Sequence, residues 1–149
     1  MQISTRFTIA VHLLTAVAYF SESQKVTSDF LAGSIGSNPV IIRNIMGQLK
    51  EAGLIDIKRG PGGVTLEKKL TDISFLDIYK AVETNSEEVL FRFHENPNPL
   101  CPIGRTIHKS LDGALEEIQK NFEVELSKWT LADVYENSLE ELRKEKQNE

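Results

Sequence analysis

Apolar residues recur at intervals of three or four along the first twenty residues, and this spacing predicts an amphipathic α-helix. The positions are Phe7, Ala10, Val11, Leu14, Val17, Ala18 and Phe20. Ser4 or Thr5 can cap the helix, because a hydroxyl oxygen accepts from the free amides of the first turn. The polar stretch 21–25 predicts its end. His12 lies among the apolar positions, which predicts a hydrogen-bonded histidine in the core.

A short second helix and a tight turn are predicted next. The helix begins at Thr27 or Ser28, and it cannot continue through the Gly-Ser-Asn-Pro sequence at residues 36–39. Asn38 is a suitable N-cap for a new helix, and Pro39 suits the first helical position, where no amide hydrogen is needed. The pattern therefore predicts two helices joined by a tight turn.

The third helix is predicted from Pro39 to about Ala52, where Gly53 ends it in a left-handed conformation. Its predicted buried side consists of Val40, Ile42, Ile45, Met46 and Leu49. Apolar residues at 54, 55 and 57 predict one short strand, and Val64 and Leu66 predict another. The glycine-rich segment 58–63 between them predicts a hairpin loop.

Three helices are predicted in the second half of the chain. Ser74 and Thr130 each begin a Ser/Thr-x-x-Asp pattern, which is typical of a helix start. Between them, an apolar stripe from Ile103 predicts a helix of about 25 residues, too long for a seventy-residue domain to cover. Packing against a second copy would bury the stripe, so we expect dimerisation through Ile107, Leu111, Leu115, Ile118, Phe122 and Leu126. The charged end 144–149 is expected to fray.

These elements define the predicted fold class. The protein is expected to be mainly α with a small β-hairpin wing, comprising a winged helix-turn-helix domain and a long C-terminal dimerisation helix. We assign residues 1–83 to the DNA-binding domain, 84–102 to a linker and sensing loop, and 103–149 to the dimerisation helices. No paired carboxylates or Ser-His-Asp arrangement stands out, so an enzyme is not expected.

Charge is distributed unevenly along the chain. The formal net charge is −5, yet residues 1–69 hold eight Lys and Arg against five Asp and Glu, a net of +3. A local basic surface on an acidic protein suits DNA binding, because only the docking face must attract phosphate. Neither a signal peptide nor an apolar run long enough for a membrane span is apparent, and the single cysteine excludes an intrachain disulfide. These features favour the cytoplasm.

Double-stranded DNA is the predicted partner, and the second helix of a helix-turn-helix enters the major groove with its N-terminal residues at the base edges. Arginine can pair with guanine and asparagine with adenine, whereas the hairpin tip can reach the backbone or minor groove. The candidate DNA-binding residues are Thr27, Ser28, Ser37, Asn38, Pro39, Val40, Arg43, Asn44, Lys58, Arg59 and Gly60. A symmetric dimer of such domains predicts an inverted-repeat target.

The segment SNPVIIRNIMGQLKEAGLIDIKRGPGGVTLEK closely resembles the wing-bearing region of the IscR/NsrR/CymR superfamily, also called the Rrf-type regulators. The sequences at 72–74 and 101–104 also resemble that family, so the similarity covers nearly the whole chain. The sequence around Asn38 and Arg43 is most similar to that of the branch without iron–sulfur clusters. The resemblance implies a winged-helix homodimer, usually a repressor, that senses its signal at the loop before the long helix.

Cluster-binding members of that family place three cysteines at six-residue intervals, followed by a nearby ligand. If Cys101 matches the last cysteine, Val89 and Glu95 occupy the two earlier positions and Gly104 replaces a histidine ligand. Thiolates are needed to hold such clusters. We therefore expect no iron–sulfur cluster and no other cofactor. A metal site built from Cys101 and its flanking histidines is disfavoured because the spacing matches no known tight ligand set.

Cys101 allows two interpretations. It precedes the long helix, and residues 102–105 could form the first helical turn, which would favour the thiolate and a redox-sensing role. Alternatively, it is a small buried hydrophobe. The effector is not evident from the sequence. The alternatives are control by a small molecule or partner enzyme, or a winged helix that binds protein rather than DNA; salt-dependent DNA binding would distinguish that module from a DNA-binding regulator.

Overall fold

The computed structural model describes residues 4–83, 90–91 and 93–149. The described elements are α1 (Thr5–Phe20), α2 (Ser28–Ile35), α3 (Pro39–Glu51), β1 (Ile55–Lys58), β2 (Gly63–Leu66), α4 (Phe75–Val82), α5 (Ile107–Lys128) and α6 (Leu131–Gln147). The predicted mainly α fold with a two-stranded hairpin is therefore confirmed. The predicted sensing loop 84–102 falls in part on residues 84–89 and 92, which lie outside the described residues.

Side-chain caps fix the starts of the N-terminal helices. The hydroxyl of Ser4 accepts from the amide of Arg6 at 3.3 Å, and the Thr27 hydroxyl accepts from the amide of Phe30 at 3.1 Å. The Asn38 side chain accepts from the amide of Val40 at 2.8 Å, with Pro39 in the first turn. Each cap satisfies a backbone donor that has no partner within its helix.

The core lies between α1, α3, α4 and the hairpin. Its largest fully buried side chains are Leu13, Leu14, Val17, Leu31, Ile42, Ile45, Leu49, Leu54, Ile55, Ile73, Ile78 and Leu131. Two sequence predictions are wrong here. Val40 is 62% exposed, because it lies on the opposite side of α3 from Ile42 and Ile45. His12 is exposed rather than in the core, and its Nε2 lies 3.0 Å from the hydroxyl oxygen of Ser34.

The hairpin is anchored to the segment before α2. β1 and β2 pair antiparallel in the register Ile55 to Leu66, Asp56 to Thr65, Ile57 to Val64 and Lys58 to Gly63. The amide of Val64 donates to the carbonyl of Val26 at 2.9 Å. Gly63 adopts a positive φ of 65°, and a Cβ built on it would lie 2.8 Å from that same carbonyl oxygen. Only glycine fits both this backbone conformation and this close approach.

The C-terminal helices return the chain to the N-terminal domain. The amide of Phe75 donates to the carbonyl of Trp129 at 2.9 Å, and Leu131 donates to Ile73 at 2.8 Å. Leu131 is completely buried, whereas the half-exposed ring of Trp129 stacks on Phe75. α5 therefore packs on α4, and α6 packs on α1.

The two C-terminal helix boundaries differ from those predicted. α5 begins at Ile107, four residues after Ile103, because residues 102–106 form turns. α6 continues to Gln147, so most of the segment expected to fray is helical. Lys144 forms ion pairs with Glu141 at 3.2 Å and Glu140 at 3.5 Å, and the hydrogen bond to Glu141 raises the pKa of Lys144. Such pairs one turn apart support an exposed helix. No helix in the described part of the chain is long and apolar enough to cross a membrane.

Candidate nucleic-acid interface

α3 presents a polar outer face opposite the core. Its buried residues are Ile42, Ile45, Met46 and Leu49. Successive helical residues are rotated by roughly 100°, so Val40, Asn44 and Gly47 form one row on the other side. All three are exposed, as is Arg43 beside them. A Cβ built on Gly47 meets no atom within 4 Å, so this face is open. The helix therefore has a free surface suited to a groove.

The turn before α3 contributes fewer free groups than the sequence predicted. Asn38 is exposed, but its side-chain oxygen already accepts from the amide of Val40. The amide of Ser37 donates to the carbonyl of Ala32 at 3.2 Å, after a left-handed Gly36. These contacts position the start of α3, and Ser37 itself is half-buried.

The residues at the start of α2 and in the first turn of α3 have mainly structural contacts. Thr27 is half-buried and uses its hydroxyl to cap α2, and Ser28 is the half-buried first residue of that helix. Pro39 is also half-buried. The exposed side chains of the predicted set are therefore concentrated on the outer face of α3 and on the wing.

The wing presents two cations on a glycine loop. Lys58, Arg59 and Gly60 are all exposed, and Gly60 has a left-handed φ of 76°. The stem of Lys58 lies against Gly62, since a Cβ built there would be 2.4 Å from the Lys58 Cβ. Glycine at this position thus leaves room for the lysine side chain to cross the loop. α3 packs on β1, so the wing and the outer face of α3 belong to one unit.

The basic residues of this surface are available for a ligand. Within the described part of the chain, Arg43, Lys58 and Arg59 form no ion pair. The nearby carboxylate of Asp56 accepts from the amide of Ile57 at 2.9 Å. Unpaired cations beside an open helix face can attract phosphate without first breaking an internal contact.

Arg6 was not predicted to have a role, yet its guanidinium holds α3 in place. Arg6 donates from Nη2 to Oε1 of Gln48 and from Nε to the carbonyl of Val82 at 3.3 Å. The hydroxyl of Ser4 also donates to a carboxylate oxygen of Glu83 at 2.9 Å. These bonds join the start of α1, the last turn of α3 and the end of α4. The lone cation at the start of an otherwise apolar helix was the available signal.

Cys101 lies on an exposed loop and not at a helix start. Its amide donates to the carbonyl of Asn98 at 3.2 Å, and its carbonyl accepts from the amide of Arg105 at 3.0 Å. The prediction that residues 102–105 form the first turn of α5 is wrong, because α5 begins at Ile107. The expectation of a buried cysteine is also wrong, since solvent reaches it directly.

The two histidines near the loop adjoin each other. The ring centroids of His94 and His108 are 5.5 Å apart, and the Phe93 ring lies 4.4 Å from that of His108. Among the described residues, no group of three or more His, Cys, Asp and Glu side chains is arranged to hold a metal ion. The geometry thus gives no support to a site combining these histidines with Cys101.

The apolar face of α5 is only partly covered within the chain. No residue of this helix is buried, and Ile118 and Leu111 are 47% and 37% exposed. Ile107, Leu115, Phe122 and Leu126 are half-buried. Phe122 contacts Tyr79 of α4, with ring centroids 5.5 Å apart. Part of the predicted dimerisation stripe therefore packs on α4, and the remainder faces outward.

Comparisons with known proteins agree with this arrangement. A family model described as Rrf2, iron-dependent transcriptional regulator, matches residues 3–137. The HTH-type transcriptional regulator YwnA of Bacillus subtilis is 39% identical over 132 residues, covering 89% of this chain and 96% of that protein. A crystal structure described as a DNA-binding protein is 32% identical, with a TM-score of 0.68, and covers 87% of this chain and 97% of that one.

A second solved structure supports the fold over nearly the full length. It is a transcriptional regulator from Lactobacillus plantarum with 24% identity and a TM-score of 0.72, covering 99% of this chain and 100% of that chain. Since the proteins in these comparisons are described as transcriptional regulators or DNA-binding proteins, this chain is a regulator rather than an enzyme.

The word iron in the family description raises the question of whether this chain could hold an iron–sulfur cluster. The chain has one cysteine, and the candidate ligand positions Glu95 and Gly104 supply no thiol; Val89 lies outside the described residues. Clusters of this kind are held mainly by thiolates. The donor set therefore does not fit an iron–sulfur cluster.

Proposed function

The chain belongs to the Rrf2 family of transcriptional regulators, and on this premise we propose that it is a cytoplasmic homodimeric repressor that binds an inverted repeat in double-stranded DNA. The observation that carries the proposal is the open outer face of α3 beside unpaired cations of the helix and the wing. This basic surface belongs to a chain whose net charge is −5. A local concentration of cations on an acidic protein is suited to a polyanionic ligand.

The exposed residues of the interface divide into two roles. Arg43 and Asn44 project from α3 and have the donor geometry to read guanine and adenine in the major groove. Lys58 and Arg59 on the wing contact the phosphate backbone or the adjacent minor groove, which fixes the register without reading sequence. Ser37 and the amides of the α3 N-terminus contact a phosphate.

Dimerisation through α5 sets the spacing of two such domains. The outward part of the stripe, including Leu111 and Ile118, would be buried against the same residues of a second copy. A two-fold dimer presents two identical reading helices, so its operator contains two half-sites separated by about one helical turn or a multiple of it.

The proposed signal is oxidation of the exposed thiol of Cys101. Because the chain contains one cysteine, a disulfide has to join two subunits or link the protein to a small thiol. A movement of α4 would be transmitted to α3, since the end of α4 is bonded to Arg6 and Arg6 to Gln48. The competing hypothesis is control by a small molecule or a partner enzyme.

A mobility-shift titration on DNA selected from a random-sequence pool tests the function. We expect sequence-specific binding that weakens steeply as salt rises, because each neutralised phosphate releases counterions. Arg43→Ala should cost about 1–3 kcal/mol in specific affinity if the side chain reads a base. Arg143→Ala, at an exposed position near the end of α6, is the matched control and should leave affinity unchanged. Absence of any sequence preference or salt dependence would favour a protein-interaction module.

A further inference from the structure

Val40 is an aliphatic residue whose side chain is exposed to solvent on α3. At 62% exposure it is the most exposed large apolar residue within residues 4–83, although it lies in the first turn of a well-packed helix. The core-facing side of α3 is filled by Ile42 and Ile45, so Val40 makes no contribution to the core. A single exposed valine is ordinary on a protein surface, but this one lies on the outer face of α3, within the candidate interface.

The residues around Val40 indicate which chemical group of a ligand can contact its side chain. It shares a row with Asn44 and Gly47, and Arg43 lies beside this row. The unpaired cations of α3 and the wing indicate that the surface receives a polyanion. In the major groove, the C5-methyl of thymine is the apolar group that a base pair presents. An aliphatic residue on such a face is complementary to that methyl group and to no hydrogen-bonding base edge.

We propose that Val40 is a specificity-determining residue that contacts the C5-methyl of one thymine in each half-site. This inference rests on the proposed DNA-binding function and adds to it a base identity. Asn44 lies four residues, or about 6 Å, farther along the helix. At about 3.4 Å per base step, Asn44 then reads a base within about two pairs of that thymine. Gly47, with open space around it, lets the helix approach the base edges closely.

The test removes the methyl group from either partner. An operator is first selected from random-sequence DNA, and each thymine of one half-site is then replaced in turn by deoxyuridine, which lacks only the C5-methyl. For the unmodified protein, one replacement should weaken binding about fourfold, the value that corresponds to one buried methyl group. For Val40→Ala, that same replacement should have no effect, because the contact is already lost.

Ile41 supplies a matched control. It is also an exposed aliphatic residue, at 41%, but it lies about a quarter turn around the helix from Val40. Ile41→Ala should therefore keep the preference for thymine over deoxyuridine. Urea unfolding of both variants verifies that neither substitution disturbs the fold, as expected for exposed positions.

The outcomes separate this inference from the function on which it rests. Specific binding that is indifferent to every deoxyuridine, or a thymine preference that survives Val40→Ala, would overturn the assignment while leaving the DNA-binding function intact. A preference lost in Ile41→Ala and kept in Val40→Ala would also overturn it. A protein that selects no sequence from the pool would instead overturn the proposed function, and the role of Val40 with it.

Discussion

The guanidinium of Arg6 donates a hydrogen bond to the side-chain oxygen of Gln48, joining residues that are 42 positions apart in the sequence. Gln48 lies on α3, so this bond fixes α3 against the start of α1. The same guanidinium donates to the last carbonyl of α4, that of Val82. Three helices thus meet at one partly buried cation.

Replacing Arg6 by alanine should destabilise the protein by about 1–3 kcal/mol, because two acceptors lose their charged donor. Urea unfolding followed by circular dichroism measures the change. Arg6→Lys should recover part of the loss, since an ammonium keeps the charge but lacks the planar fork. Arg143→Ala removes an exposed arginine and should change stability by less than about 0.5 kcal/mol. Equal effects of the two alanine substitutions would show that the three-helix junction does not stabilise the fold.

Two glycines should respond oppositely to the same substitution. Gly63→Ala should cost about 1–3 kcal/mol, because the added Cβ would meet the carbonyl of Val26 at 2.8 Å in a conformation that favours glycine. Gly33→Ala should instead stabilise by up to about 1 kcal/mol, since Gly33 lies inside α2 with open space around it. Thermal or urea unfolding of both variants checks the sign. A Gly63→Ala protein as stable as the parent would contradict the close contact between the wing and Val26.

Local signals explain which parts of the structure were predictable. The caps at Ser74 and Thr130 and the turn around Asn38 each depend on residues within four positions, so the sequence was sufficient to predict them. Val40 was assigned to the core because it is apolar, whereas the helical repeat places it on the opposite side of α3 from Ile42 and Ile45. The bond between Arg6 and Gln48 was unpredictable because it depends on how distant helices pack.

The start of α5 shows a second limit of sequence patterns. Ile103 fits the spacing of the apolar stripe, but it is 68% exposed in a turn that precedes the helix. Periodicity indicates which face would be buried if a segment were helical, and it does not fix where the helix begins. The same error placed Cys101 at the start of a helix. The redox role predicted from that position therefore assumed a backbone conformation that the structure does not have.

Cys101 should react with a thiol reagent in the folded protein. Because the thiol is exposed, one equivalent should react at nearly the rate seen in denaturant, as measured by absorbance of the released chromophore. If oxidation is the signal, a thiol oxidant should release the protein from its selected DNA and a reductant should restore binding. Cys101→Ser should then bind DNA with or without oxidant. Release of that variant by the oxidant would contradict a redox role for Cys101.

The outward part of the α5 stripe offers the sharpest test of dimerisation. If the protein forms the proposed homodimer, Ile118→Glu should convert it to a monomer, because burying an unpaired carboxylate against a second copy is strongly unfavourable. Ile118 suits the test better than Phe122, whose ring packs on Tyr79 and whose loss would also disturb the fold of the single chain. Ser127→Glu adds the same charge at an exposed position on the other side of α5 and should leave the dimer intact. Light scattering coupled to size exclusion gives the mass of each variant, and urea unfolding establishes that both are folded. A dimeric Ile118→Glu protein would place the subunit interface elsewhere.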